Sequence, residues 1–178
     1  MSFTGIGIHN FRNLENCDEL DVSYEKIFLV GNNGTGKTNF LDSVYTLCYG
    51  TPFRSNDRDS TKHGNDAWHL TALKSNGTVS DSISVSWSQT KGKTIIINGK
   101  KVSDRKDLID QSPAILFSYD DLNFVQGNQD YRRLFMDQSA SLCTRSYIDA
   151  LRNFKKILKT RNLALKEKNE NLLEVCTI

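Results

Sequence analysis

Eight consecutive residues, Gly31-Asn32-Asn33-Gly34-Thr35-Gly36-Lys37-Thr38, have the spacing G-x-x-x-x-G-K-[ST]. Each residue type in that pattern suits a polyanion. Glycines let successive backbone N–H groups turn inward around a chain of phosphates, which a Cβ would obstruct. A helix beginning near Lys37 would add the partial positive charge of its N-terminus. Lys37 would bring a point charge to the β- and γ-phosphates, and the Thr38 hydroxyl would be an oxygen ligand for a Mg2+ bridging them. The chemistry implied is binding of ATP, or a close purine triphosphate, together with Mg2+. The motif has this meaning only between a strand and a helix, so the flanking elements decide it.

The flanks have the required periods. Ile27-Phe28-Leu29-Val30 is an unbroken apolar run, the pattern of a strand buried on both faces. Phe40, Leu41, Val44, Tyr45, Leu47 and Cys48 then recur at helical spacing, and Gly50-Thr51-Pro52 ends the helix. Upstream, Phe3 to Phe11 reads as a strand, Arg12-Asn13 as a turn and Leu20 to Val22 as a second strand. Residues 53–66, carrying Arg54, Arg58 and Lys62, read as a long surface loop. A β-rich block follows. Ile83, Val85 and Trp87 alternate with serines, Lys91-Gly92 turns into Thr94 to Ile97, and Asn98-Gly99 is a hairpin signal before Lys100 to Val102. Asp104 to Ile109 reads as a short helix and Ala114 to Phe117 as another buried strand. From Asp130 the chain reads as helical to its end, with a break near Thr144 to Ser146. Leu151, Leu158, Leu165 and Leu172 form a seven-residue seam there, interrupted by Arg161 and Lys168.

Composition narrows the classes. With 178 residues, 38% hydrophobic and 25% charged, the chain can bury a core and is neither disordered nor fibrous as a whole. Its apolar runs are too short to span a bilayer, and MSFTGIGIHNF lacks the basic head and apolar middle of a signal peptide, so a cytoplasmic protein with no membrane partner is expected. Cys17, Cys48, Cys143 and Cys176 form no C-x-x-C pair, and His9, His63 and His69 show no ligand spacing, which gives no sign of zinc or disulfides. The formal net charge of +2 is too small to name a partner.

Binding does not imply hydrolysis. A P-loop ATPase also needs a carboxylate on a second strand for the magnesium shell and a group that orients the attacking water. The candidate is Ile115-Leu116-Phe117 followed by Ser118-Tyr119-Asp120-Asp121. Either Asp120 or Asp121 holds the metal, making a self-contained small NTPase or kinase, or these aspartates cap the next helix. No Asn-Lys-x-Asp guanine-reading motif occurs.

These residues resemble a family. Ile8-His9-Asn10-Phe11-Arg12-Asn13-Leu14, followed by V-G-N-N-G-T-G-K-T-N-F-L-D-S-V-Y at 30–45, strongly resembles the opening of the RecF family of bacterial DNA-repair ATPases. Gly50 to Arg54, Ile96 to Lys100, Leu116 to Leu122, Val125-x-Gly127, Arg132 to Asp137 and Lys159 to Asn162 resemble its later blocks in the same order. Tyr119 and Asp120 depart from that pattern.

The resemblance implies an α/β fold: a P-loop NTPase of the ABC-type ATPase head class, with an antiparallel β subdomain and the start of a helical arm. An ATP-binding head lobe would occupy residues 1–128 and an incomplete arm residues 129–178. Members of the family are about twice as long. The magnesium-binding aspartate, catalytic glutamate and signature loop of the family pattern have no match in this chain, which is therefore expected to bind ATP rather than hydrolyse it. Asp120 and Asp121 would then belong to a nucleotide-sensing loop. The resemblance also places Arg12 and Asn13 beside the nucleotide and makes Arg54 and Arg58 candidates for DNA phosphates. Basic residues outnumber acidic ones on the last helix, an arrangement open to DNA or to solvent alike. The implied full-length protein is an ATP-dependent homodimer that binds gapped or junction DNA in replication and repair, with the RecO and RecR mediators and RecA as partners. A non-catalytic module docking through its leucine face is the remaining alternative.

Overall fold

A computed structural model describes residues 3–75, 80–118, 121 and 123–167. The chain falls into two compact units, Met1–Leu116 and Phe117–Ile178. The first is built on a six-stranded antiparallel sheet in the order β2-β1-β3-β4-β5-β6. Its strands are β1 (Phe3–His9), β2 (Cys17–Asp21), β3 (Ala67–Ser75), β4 (Ser80–Ser88), β5 (Gly92–Ile97) and β6 (Lys100–Val102). Helix α1 (Lys37–Tyr49) stands between β2 and β3 in sequence, and α2 (Arg105–Gln111) follows β6.

The period-2 alternation makes one sheet face the core. Along β3, Trp68, Leu70 and Ala72 are buried while His69 and Leu73 are exposed. Across the register Leu70 faces Val85, and Val85 faces Ile95. Ile6 and Ile8 of β1, Ile83 of β4, Ile97 of β5, Leu47 of α1 and Leu108 of α2 complete the buried cluster. The β5–β6 hairpin has left-handed backbone at both Asn98 (φ 50) and Gly99 (φ 75), the requirement of a two-residue turn that follows strand twist. Asp104 caps α2 by accepting from the Lys106 N–H.

β1 stops at His9, two residues before the sequence pattern ends, because Asn10 (φ 53) and Arg12 (φ 52) turn the backbone out of the strand. Phe11 between them stays buried and packs edge-on against Trp68 at 5.3 Å.

Two expected strands are absent. Ile27–Val30 and Ala114–Phe117 form no strand, and Phe28, Val30, Ile115 and Phe117 are 83%, 92%, 85% and 84% exposed. A run that is apolar on both faces requires neighbours at its edges and layers above and below. Among the described residues none supplies them. Composition specified what these segments can bury, not what would cover them.

The second unit is helical: α3 (Asn123–Gln126), α4 (Gln129–Cys143) and α5 (Arg145–Glu167). Asn128 caps α4 by accepting from the Asp130 and Tyr131 N–H groups. Thr144, in extended conformation, separates α4 from α5 where the sequence suggested a break. Leu158, Leu165 and Phe154 of the leucine seam are exposed, and Ala164 is the buried residue among those described on α5. Leu172, like Lys168, lies outside the described residues. Among the described residues no helix is long and apolar enough to cross a membrane.

Candidate functional site

The octapeptide forms the turn that enters α1. Gly34 (φ 84) and Gly36 (φ 100) hold left-handed backbone that side chains with a Cβ rarely adopt. The first i to i−4 bond of the helix runs from Phe40 N–H to the Gly36 carbonyl at 2.8 Å. The N–H groups of the helix's opening residues, Lys37, Thr38 and Asn39, therefore have no intrahelical acceptor. Gly36 offers no side chain to cap them, and the first turn contains no acidic residue. The helix's own first turn thus supplies no carboxylate to offset the positive potential at this end. Within the loop, the Thr35 hydroxyl donates to the Asn32 carbonyl at 2.9 Å. The Lys37 ammonium donates to the carbonyls of Gly31 and Asn32, at 2.8 and 2.6 Å. The lysine head accordingly lies across the mouth of the turn. Thr38 is exposed on the first turn of α1.

Arg12 and Asn13 both reach this region, in different ways. Arg12 turns beneath α1: its Nε donates to Asp42 Oδ2 at 2.7 Å and its Nη2 to Ser55 Oγ at 2.8 Å. Asp42, on α1, is fully buried, and its other oxygen accepts the Phe53 N–H at 2.8 Å. A buried carboxylate is tolerable only when paired and hydrogen-bonded in this way. Arg12 N–H also donates to the Ser60 carbonyl at 2.8 Å, so the turn is fastened at both main chain and side chain. Asn13 points to the loop. Its Nδ2 donates to the Gly34 carbonyl at 3.1 Å, and its Oδ1 accepts from Asn39 Nδ2 at 2.7 Å.

Arg54 and Arg58 are exposed on the loop that follows α1. Tyr119 and Asp120 lie outside the described residues. Asp121 belongs to the second unit, and its Oδ2 accepts the N–H of Ser118 at 2.5 Å, a contact within its own loop. Among the described residues there is no group of three or more His, Cys, Asp or Glu side chains able to hold a metal ion.

Sequence reasoning did not single out Asp42, Asn39 or Ser55. Asp42 carried a usable signal: it interrupts the apolar face between Leu41 and Val44, and a carboxylate placed there needs a cationic partner.

A family profile described as an AAA domain matches residues 6–175. The chain belongs to the AAA-domain family. Among curated relatives, it is 36% identical to the DNA replication and repair protein RecF of Treponema pallidum over 93% of this chain and 47% of that protein. It is 31% identical to the protein of the same name from Leptospira biflexa, over 96% of this chain and 47% of the relative. Among solved structures, that of the recombination mediator protein RecF with ATP in the RecFOR pathway superposes with a TM-score of 0.82 at 26% identity, covering 98% of this chain and 48% of that one. An SMC ATPase structure shares the fold, with a TM-score of 0.60 at 17% identity over 76% of this chain and 98% of its own. The α/β fold is thus that of the P-loop ABC-type ATPase heads, and the similarity to RecF covers its N-terminal part. This chain spans about half the length of the curated relatives it matches.

Proposed function

We propose that this chain is the ATP-binding N-terminal part of a RecF-like protein of DNA replication and repair. The observation that carries the reading is the backbone of the octapeptide. Two left-handed glycines lead into a helix whose N-cap offers no side-chain bond and whose first turn contains no acidic residue. Such an end favours a polyanion. The residues from Gly31 to Thr38 surround the phosphates, with Lys37 moving from the Gly31 and Asn32 carbonyls to the β- and γ-phosphates. Thr38, exposed on the first turn of α1, would supply the protein oxygen that holds Mg2+, and the ion would contribute charge neutralisation. Arg12 and Asn13 flank the nucleotide from the preceding turn. Residues 1–128 act as the head lobe and residues 129–178 as the beginning of a helical arm.

Binding without turnover is the expected behaviour. The family pattern's magnesium-binding aspartate, catalytic glutamate and signature loop have no match in these 178 residues, and Asp121 accepts a main-chain N–H of its own loop. In a full-length protein, ATP would favour a homodimer on gapped or junction DNA, with Arg54 and Arg58 supplying phosphate contacts that do not depend on sequence. RecO, RecR and RecA are the expected partners, in the cytoplasm.

The test is titration of the chain with ATP and Mg2+, wild type against Lys37→Ala. Wild type is expected to bind, and the variant to lose about 100-fold or more in affinity through loss of a charged contact to phosphate. Equal affinity in the two would overturn the proposal. Steady ATP turnover abolished by Asp121→Ala would instead indicate a self-contained NTPase.

A further inference from the structure

The Asn13 side chain touches three parts of the site at once. Its amide nitrogen donates to the Gly34 carbonyl inside the phosphate loop, its oxygen accepts from Asn39 in the first turn of α1, and its main chain belongs to the Arg12 turn. The loop closes against it. A Cβ on Gly36 would stand 3.1 Å from Asn13 Oδ1 and 3.0 Å from Leu14 Cδ2. The turn is itself held from below, because buried Asp42 binds Arg12 with one oxygen and the Phe53 N–H with the other. The chain of contacts from Asp42 through Arg12 and Asn13 to Gly34 is continuous.

Amide groups bind an anion well when their directions are fixed beforehand, since ordering them on binding subtracts from affinity. Gly34 and Gly36 have no side chains to limit their rotation, so contacts from outside add to the order that Thr35 and Lys37 give the loop from within. The Gly34 carbonyl belongs to the peptide whose N–H is that of Thr35. That N–H turns to the Asn32 carbonyl at 3.5 Å, so the donor on the Gly34 carbonyl, at 3.1 Å, is the shorter of the two contacts that set this peptide's orientation.

We propose that Asn13 is a positioning residue that fixes the Gly34–Thr35 peptide for phosphate, acting through the loop, with Asn39 orienting its carboxamide and Asp42 anchoring its turn through Arg12. The proposal rests on the octapeptide being a phosphate site. It assigns Asn13 an indirect role, distinct from contact with base or ribose.

The variants are Asn13→Ala, Asn13→Asp, Asn39→Ala and the Asn13→Ala/Asn39→Ala double, titrated with Mg-ATP and with inorganic tripolyphosphate. Asn13 is exposed, so its variants are expected to melt at the wild-type temperature. Asn13→Ala is expected to weaken ATP and tripolyphosphate by the same factor, about fivefold, as for one lost hydrogen bond. Asn13→Asp cannot donate to the Gly34 carbonyl and should bind at least as weakly. Asn39→Ala should have a smaller effect, and the double variant should bind no worse than Asn13→Ala, because both act through one contact. Unchanged affinity in Asn13→Ala, or a loss for ATP with tripolyphosphate unaffected, would overturn the assignment. Should wild type bind neither ligand, the phosphate-site reading itself fails. Amide exchange at Gly34 to Gly36 then still tests the brace: faster exchange in Asn13→Ala supports it and identical exchange overturns it.

Discussion

The two flanks of the octapeptide are built on opposite terms. On its C-terminal side, α1 lies on the sheet, Leu47 is buried in the core, and the Asp42–Arg12 pair ties the helix to the turn after β1. On its N-terminal side, Ile27 to Val30 carry the more hydrophobic sequence yet remain exposed. Polar contacts hold one flank, while the other has apolar surface without a counterpart among the described residues. Hydrophobic burial is non-directional and needs only a partner surface, whereas a buried ion pair needs a specific one already in place. Among the described residues, the helical flank therefore has its partners and the apolar flank does not.

Four substitutions can break or sharpen that contrast. Asp42→Ala should have the largest effect, since it strands Arg12 and the Phe53 N–H. A loss of about 3 kcal/mol in unfolding free energy is expected, read by urea denaturation. If Asp42→Ala unfolds at the wild-type midpoint, the helical flank is not held by the pair. Gly36→Ala comes next. It places a Cβ against Leu14 and Asn13 at a residue with φ 100, for a cost of about 1–3 kcal/mol, visible as a lower melting temperature. On the opposite flank, Phe28→Asp and Val30→Asp should change stability by about 0.5 kcal/mol or less and lower self-association in sedimentation. A large destabilisation there would show that the apolar run is already packed.

The smallest effect concerns the outer face of the sheet. Partial desolvation of its ring, and secondarily the charge of neighbouring His9, whose ring stacks at 6.3 Å, hold the pKa of His69 below its ordinary value. Ser84 Oγ lies 2.8 Å from its Nε2, and Asp18 lies 3.2 Å from His9 on the same face. The unfolded chain then takes up the proton at a higher pH than the folded one, so this contribution is full above the ordinary histidine range and is lost as pH falls through it. Melting temperature should decrease slightly between about pH 7.5 and about pH 5.5, and His69→Gln should flatten the slope.

Much of this arrangement was legible in the sequence because local patterns report local structure. The octapeptide, the Asn98-Gly99 hairpin, the short helix that begins beside Asp104 and the break at Thr144 each depend on a few adjacent residues. Trp68, Leu70 and Ala72 alternate as a strand should, but polar His69, Thr71 and buried Lys74 blur the signal, and β3 could be placed only within a general β-rich block. The Arg12–Asp42 pair joins residues 30 apart, a relation that no periodicity encodes. For Ile27 to Val30, apolarity was read correctly and burial was not, since burial depends on a second surface.

The position of Lys37 gives the proposed site a way to measure its ligand. Its ammonium is engaged by two carbonyls of its own turn. A short anion could settle on the helix's opening N–H groups and leave those contacts untouched; only a longer one extends far enough to draw the charge away. Phosphate number would thus be sensed by competition between ligand and main chain, before base or sugar meets any side chain.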